Sequence, residues 1–266
     1  MNRQNMGAVI ESSSRKVAGL INSRVLALVL VCTVSFMNVL DITVVSVALG
    51  DIGKSLGASQ SELQWVVNAY TLPLGALLMS AATLSGSLGR LRLFRWGLVL
   101  FTVGSAVCAL APSMVVLNVF RAIQAVGGAI FLGVGVPMIS DRYPAGRERA
   151  RATGIYGLIS GVAIAVGPLA GGGLVLVAGW RSIFWINVPV GVVSWLASWY
   201  VKDRSTDRNN SGVDWLGTLL AILAVGAVTV VLLEGSAWGW TSARTLGGVA
   251  VGLAAMGLFM AVERRS

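Results

Sequence analysis

The chain of 266 residues has no histidine, two cysteines and only 12% charged residues. Without histidine, neither a histidine-based nucleophile triad nor a histidine metal site can be built. Cys32 and Cys108 sit in separate apolar runs and read as small buried hydrophobes rather than a redox pair. Gly53-Lys54-Ser55 resembles the end of a phosphate-binding loop, but the glycine required five residues before Gly53 is replaced by Ala48. No cofactor and no catalysis are expected. The shortage of charge also excludes an ordinary water-soluble domain, which carries about 25% charged residues.

What is abundant is apolar surface, at 56% of residues. It is arranged in eight runs, near residues 25–49, 63–84, 93–111, 114–139, 153–178, 183–200, 215–233 and 246–262. Runs of this length between short charged clusters predict membrane-spanning helices, because only a backbone that satisfies its own hydrogen bonds survives in lipid. The segment before the first run is polar, and the run itself is too long for a cleavable leader, so it reads as a retained span. The fold expected is all-α and integral to the membrane, with the lipid bilayer as its first partner.

The basic residues orient the chain. Sixteen of the 20 fall in the N-terminal segment, the loops after spans 2, 4 and 6, and the C-terminus, against Lys54, Arg181 and Arg244 on the other face. The positive-inside rule then predicts a multi-pass protein of the cell membrane with both termini cytoplasmic. The same scatter argues against nucleic acid as a partner, despite a net charge of +9, because no single basic helix or aromatic-interleaved patch is formed. Tryptophans mark the interfaces: Trp65, Trp180, Trp238 and Trp240 at outer ends, Trp96, Trp199 and Trp215 at inner ends.

Two charges remain inside spans. Asp41 and Arg121 each cost roughly 2.5 to 3.5 kcal/mol to insert, so each is expected to face a bundle interior or a wet cavity. At 1.5 Å per residue they lie about 21 and about 27 Å from the inner side, close enough in depth to pair. Two readings stay open: a permanent ion pair joining two helices, or a carboxyl that titrates, burial and a nearby arginine pulling its proton affinity in opposite directions. Asn38, three residues before Asp41, and Gln124, three after Arg121, share their helix faces and are candidates for a cavity wall, with Asn68 on the second span a weaker one.

Residues 161–173, GVAIAVGPLAGGG, concentrate five glycines and a proline that would oppose a helix in water. In lipid they have a use. Gly157, Gly161 and Ala165 form one stripe, and Ala163, Gly167 and Gly171 a neighbouring one, each with almost no side chain, so that another helix can approach closely. Pro168 is expected to kink the helix.

The stretches LDITVVSVAL at 40–49, RAIQAVGG at 121–128, GVAIAVGPLAGGG at 161–173 and GWRSIFWINVPVG at 179–191 together resemble the major facilitator superfamily, specifically its fourteen-span drug:proton antiporter branch. The resemblance implies a six-helix N-terminal bundle over residues 25–200 and two further spans over 215–262, joined by a cytoplasmic linker at 201–214. Cytoplasmic segments at 1–24 and 263–266 flank them. It also implies roles. Asp41 and Arg121 match the acidic position of helix 1 and the basic position of helix 4 linked to proton translocation. Gly161, Gly167, Pro168, Gly171 and Gly172 fall in the antiporter motif, which packs between the two halves of the transporter.

Two departures accompany the match. The loop between helices 2 and 3 keeps Gly86, Leu88, Gly89 and Arg90, with Arg92, but lacks a few residues including the acidic one that helps latch one conformation. The chain also stops at Ser266, where the family implies six further spans. Three readings follow: the N-terminal part of a proton-coupled exporter of small lipophilic drug-like molecules, intact elsewhere or complemented by a separately encoded C-terminal half; a remnant that inserts without transporting; or a membrane scaffold or partner subunit of the same ancestry.

Overall fold

The computed structural model describes residues 3–202 and 215–263, with side chains from residue 23 onward except at 215–218, 221, 233, 236–237 and 262–263. Most of the expected linker and the last residues of the chain therefore lie outside the described residues. Among the described residues there are nine α-helices and no strand: α1 (Arg3–Leu56), α2 (Gln60–Leu88), α3 (Arg90–Leu110), α4 (Met114–Arg142), α5 (Arg147–Ala178), α6 (Ser182–Trp185), α7 (Asn187–Ser198), α8 (Trp215–Trp238) and α9 (Ala243–Glu263). The all-α membrane architecture expected from the apolar runs is what the chain adopts.

Helix boundaries follow local chemistry. Ser59 caps α2 through a reciprocal box in which its backbone N–H donates to Glu62 Oε2 at 2.8 Å while its Oγ accepts from the Glu62 N–H. Ser113 caps α4 by accepting from the Val116 N–H. Helix α2 ends at Leu88, and Gly89, at φ 88°, turns the chain directly into α3. This left-handed angle is one that a residue with a Cβ resists. The loop between helices 2 and 3 is therefore a single glycine.

Among the described residues six helical segments are long and apolar enough to cross a membrane: Ser23–Leu56, Gln60–Leu88, Arg90–Leu110, Met114–Arg142, Arg147–Ala178 and Ala243–Ala261. The sixth and seventh apolar runs hold shorter stretches, Ser182–Ser198 and Ile222–Leu232. The sixth is divided between α6 and α7 at Ile186. Pro189 has no N–H to give the Trp185 carbonyl, so the regular ladder is interrupted just before Asn187. The polar N-terminal segment is continuous with the first span as helix from Arg3. Gly53-Lys54-Ser55 lies in the last turns of α1, in a helix rather than a phosphate-cradling loop.

In the bundle, α4 packs against α2 and α3, α1 against α5, and α7 against α3, while α8 and α9 form a hairpin whose α8 lies on α2. Glycines set the closest approaches. A Cβ on Gly127 would lie 2.5 Å from the Phe101 backbone nitrogen, and one on Gly97 2.9 Å from the Gly127 carbonyl oxygen, so α3 and α4 cross backbone to backbone. The interior divides into two apolar clusters stacked along the bundle. One holds Val34, Met37, Phe94, Leu98, Phe101, Ala125 and Phe131. The other holds Leu40, Val44, Cys108, Leu117, Trp180 and Phe184.

Candidate polar centre between two apolar clusters

On three helices and at one helix junction, the change from one apolar cluster to the other falls at a polar residue. On α1 the change falls at Asn38 and Asp41, on α3 at Ser105, on α4 at Arg121 and Gln124, and at the α6–α7 junction at Asn187. The result is a single polar layer sealed on both sides by hydrocarbon.

At its centre Arg121 Nη1 donates to Asp41 Oδ2 at 2.5 Å, with the two side chains 1% and 0% exposed. The other carboxylate oxygen, Oδ1, accepts from Gln124 Nε2 at 3.1 Å and from Asn187 Nδ2 at 2.7 Å. Arg121 Nη1 also donates to Gln124 Oε1 at 3.0 Å, and Nε to the Val66 carbonyl at 3.3 Å, a bond that ties α4 to α2. The guanidinium lies 4.1 Å from the Tyr70 ring centroid and 5.7 Å from that of Phe184, which holds its plane between aromatic faces. A buried ion pair persists only when its remaining donors and acceptors are met in this way.

The layer extends on either side. Asn187 Nδ2 also contacts Ser105 Oγ at 3.1 Å, and Ser105 Oγ donates to the Phe184 carbonyl at 2.9 Å, anchoring the irregular turn between α6 and α7. Tyr70 donates its hydroxyl to Asn38 Oδ1. Gly128 makes room for that bond, since a Cβ there would lie 2.7 Å from Asn38 Oδ1 and 2.9 Å from Tyr70 Oη. Asn38 Nδ2 and Asn187 Oδ1 are buried without a hydrogen-bond partner among the described residues.

Asp41, Arg121, Gln124 and Asn38 are thus brought together, as their spacing and depth suggested. Asn68 is not among them: its Nδ2 donates to Glu234 Oε1 at 3.0 Å, linking α2 to α8. Asn187, Tyr70 and Ser105 were missed by sequence reasoning. Asn187 stands in an apolar run as Asn38 does, but no buried charge lies at helical spacing from it to mark it.

The two glycine stripes of α5 part company. Ala163, Gly167 and Gly171 are buried against α1, where a Cβ on Gly167 would lie 1.9 Å from Thr43 Oγ1 and one on Gly171 3.0 Å from Val44 Cγ1. Gly157, Gly161 and Gly172 have no atom within 4 Å of such a Cβ, and α5 runs on through Pro168 to Ala178. At the opposite end of α2, Gly86 and Leu88 close the helix, and Arg90 pairs with Asp141 and donates to the Pro137 carbonyl at 2.9 Å. Arg90 thus binds an acid on α4, in a chain whose short loop carries none. Cys32 and Cys108 are free thiols buried on separate helices.

The family model described as Major Facilitator Superfamily matches residues 31–262. The chain belongs to this superfamily. Among its relatives in the superfamily, "Multidrug resistance protein Stp" of Mycobacterium tuberculosis is 42% identical over 87% of this chain and 43% of its own length. "Methylenomycin A resistance protein" of Streptomyces coelicolor is 34% identical over 86% of this chain and 48% of its own. A solved bacterial homolog of the human lysosomal transporter Spinster superposes with a TM-score of 0.60 at 20% identity, over 89% of this chain and 61% of that one, which speaks to the fold alone. The chain spans about half the length of the curated relatives it matches. What it encodes corresponds to the N-terminal part of a membrane-spanning superfamily protein.

Proposed function

We propose that this chain is the N-terminal part of a proton-coupled exporter of small, lipophilic, drug-like molecules, lying in the cell membrane with both termini cytoplasmic. The observation that carries the reading is the Asp41 carboxylate, fully buried between the two apolar clusters and engaged by Arg121, Gln124 and Asn187. A proton taken up by Asp41 removes its attraction for Arg121 and frees a hydrogen bond to one neighbour, which gives protonation a mechanical consequence across α1, α4 and α7. The unpartnered Asn38 Nδ2 and Asn187 Oδ1 flank the carboxylate, where water or a polar group of a substrate finds a partner.

A transporter of this kind places its substrate between two halves that rock against each other, and this chain supplies one wall. The exposed stripe of Gly157, Gly161 and Ala165 on α5 leaves a close-approach face for the second half, in keeping with the motif that the sequence resembles. That half is either a further part of the same protein or a separate polypeptide.

The test is efflux driven by an imposed pH gradient, in vesicles that hold this chain together with the C-terminal half of a relative. Substrate movement that follows the gradient and stops when a protonophore collapses it is the expected result. Gradient-independent movement would refute proton coupling, and no movement with a correctly inserted pair would favour a non-transporting membrane subunit.

A further inference from the structure

Away from the polar layer, a cavity of about 500 Å³ opens on the outer face of the bundle between α3 and α7, lined by Arg92, Arg95, Trp96, Val99, Trp195 and Trp199. The lining has a helical logic. Positions 92, 95, 96 and 99 are one stripe of α3, and 195 lies on α7 one turn before its capping residue Trp199. Nearer the middle of the membrane the two helices touch, where a Cβ on Gly191 would lie 2.0 Å from Thr102 Oγ1. Toward the basic end they part, and aromatic rings stand in the gap, with Trp195 and Trp199 edge to face at 5.7 Å.

The charge in this furrow is arranged rather than scattered. Arg95 is fixed by Nε to Ser198 Oγ at 3.0 Å and Nη2 to the Ser198 carbonyl at 2.9 Å, with its guanidinium 4.1 Å from the Trp199 ring centroid. Arg92, one turn closer to the helix start, is exposed and has no hydrogen bond or ion pair among the described residues. Among the described residues no carboxylate lines the cavity. From Val99 the wall continues into outward-facing apolar side chains, Val103 on α3 and Val192 and Leu196 on α7. A soluble anion would find little to bind along that continuation, whereas an acyl chain would be covered by it.

We propose that this furrow is a binding site for an anionic phospholipid, whose phosphate sits at Arg92 and whose acyl chain lies along Trp96, Val99 and Trp195. Arginine at the mouth recognises the phosphate by bidentate donation. Tryptophans at headgroup level grip the upper part of the chain. The bound lipid fills the space between α3 and α7, and so braces the helix pair that carries Ser105 and Asn187 into the polar layer. The site does not depend on proton coupling or on the identity of any exported substrate.

The experiment is native mass spectrometry of the full chain released from detergent micelles containing equimolar phosphatidylglycerol and phosphatidylcholine with the same acyl chains. Wild type is expected to retain phosphatidylglycerol in preference, and Arg92→Gln to lose about fivefold of that preference, the factor expected of one arginine at an anionic surface. Arg147→Gln, an exposed arginine at the same end but outside the furrow, leaves the preference unchanged. Trp96→Ala lowers retention of both lipids, and excess glycerol phosphate displaces neither. Equal retention of the two lipids by wild type, an equal loss in Arg147→Gln, or displacement by glycerol phosphate would each overturn the proposal. Circular dichroism of the variants, all at exposed positions, separates loss of lipid from loss of fold.

Discussion

Replacing Gly167 by alanine tests the packing of the glycine-rich helix most directly. The added Cβ would lie 1.9 Å from Thr43 Oγ1 and 2.7 Å from Thr43 Cβ, against an ordinary contact of 3.4–4 Å. Thr43 has little freedom to yield, because its hydroxyl donates to the Leu40 and Val39 carbonyls at 3.0 and 3.2 Å and its β-branched side chain is stiff. Rotating it leaves the Cβ clash in place. The helices α1 and α5 must therefore separate, which also opens the Gly171–Val44 contact one turn away. Overpacking of this kind costs about 1–3 kcal/mol. The matched control is Gly161→Ala, where no atom lies within 4 Å and the helix gains up to about 1 kcal/mol of propensity. Thermal unfolding of the detergent-solubilised chain should show Gly167→Ala melting well below wild type and Gly161→Ala level with it or above. Adding Thr43→Ala should recover only part of the loss, since the Thr43 Cβ position remains. A Gly167→Ala protein that melts with wild type, or no lower than Gly161→Ala, would refute the close-packing argument, and a tolerated Gly167→Leu would do so more severely.

Three further outcomes are expected. Asp41→Asn should insert and fold in the assembled transporter but lose pH-driven efflux; a loss of expression of the size that an unpaired buried charge costs, about 3–5 kcal/mol, with expression and efflux both restored by adding Arg121→Gln, would mark the pair as structural and remove Asp41 as the proton carrier. Asn187→Leu withdraws a donor from both Asp41 and Ser105 and should reduce pH-driven efflux more than it reduces expression, so equal losses in the two measurements would count against a part in coupling. For the α8 contact, cysteines at Ala76 and Gly226, whose Cβ atoms would be 3.8 Å apart, should form a disulfide in oxidant, and Glu234→Ala should weaken that cross-link by depriving Asn68 of its acceptor. An unchanged yield in Glu234→Ala would show that this hydrogen bond does not hold the hairpin in place.

The sequence by itself determined the class of structure, because membrane insertion is a property of local composition: a run of apolar residues is long enough to span or it is not, whatever it later packs against. It determined the depth of Asp41 and Arg121 for the same reason, since rise per residue converts position into height. It also marked the glycines of residues 161–173 as contact surface. It did not determine which of two glycine stripes meets α1, because the stripes are equivalent along the helix and only the rotation of α5 in the bundle distinguishes them. Nor did it separate Asn68 from Asn38, two amides of similar setting, one of which reaches Tyr70 in the polar layer and the other Glu234, 166 residues away. Asn187 was overlooked because its importance arises from the interruption at Ile186 and from where that turn lies relative to α1. The furrow between α3 and α7 is likewise written in two segments a hundred residues apart. Height along a helix is a local quantity, whereas azimuth and neighbour are set by packing, and it is azimuth that gathers Asp41, Arg121, Gln124 and Asn187 around one carboxylate.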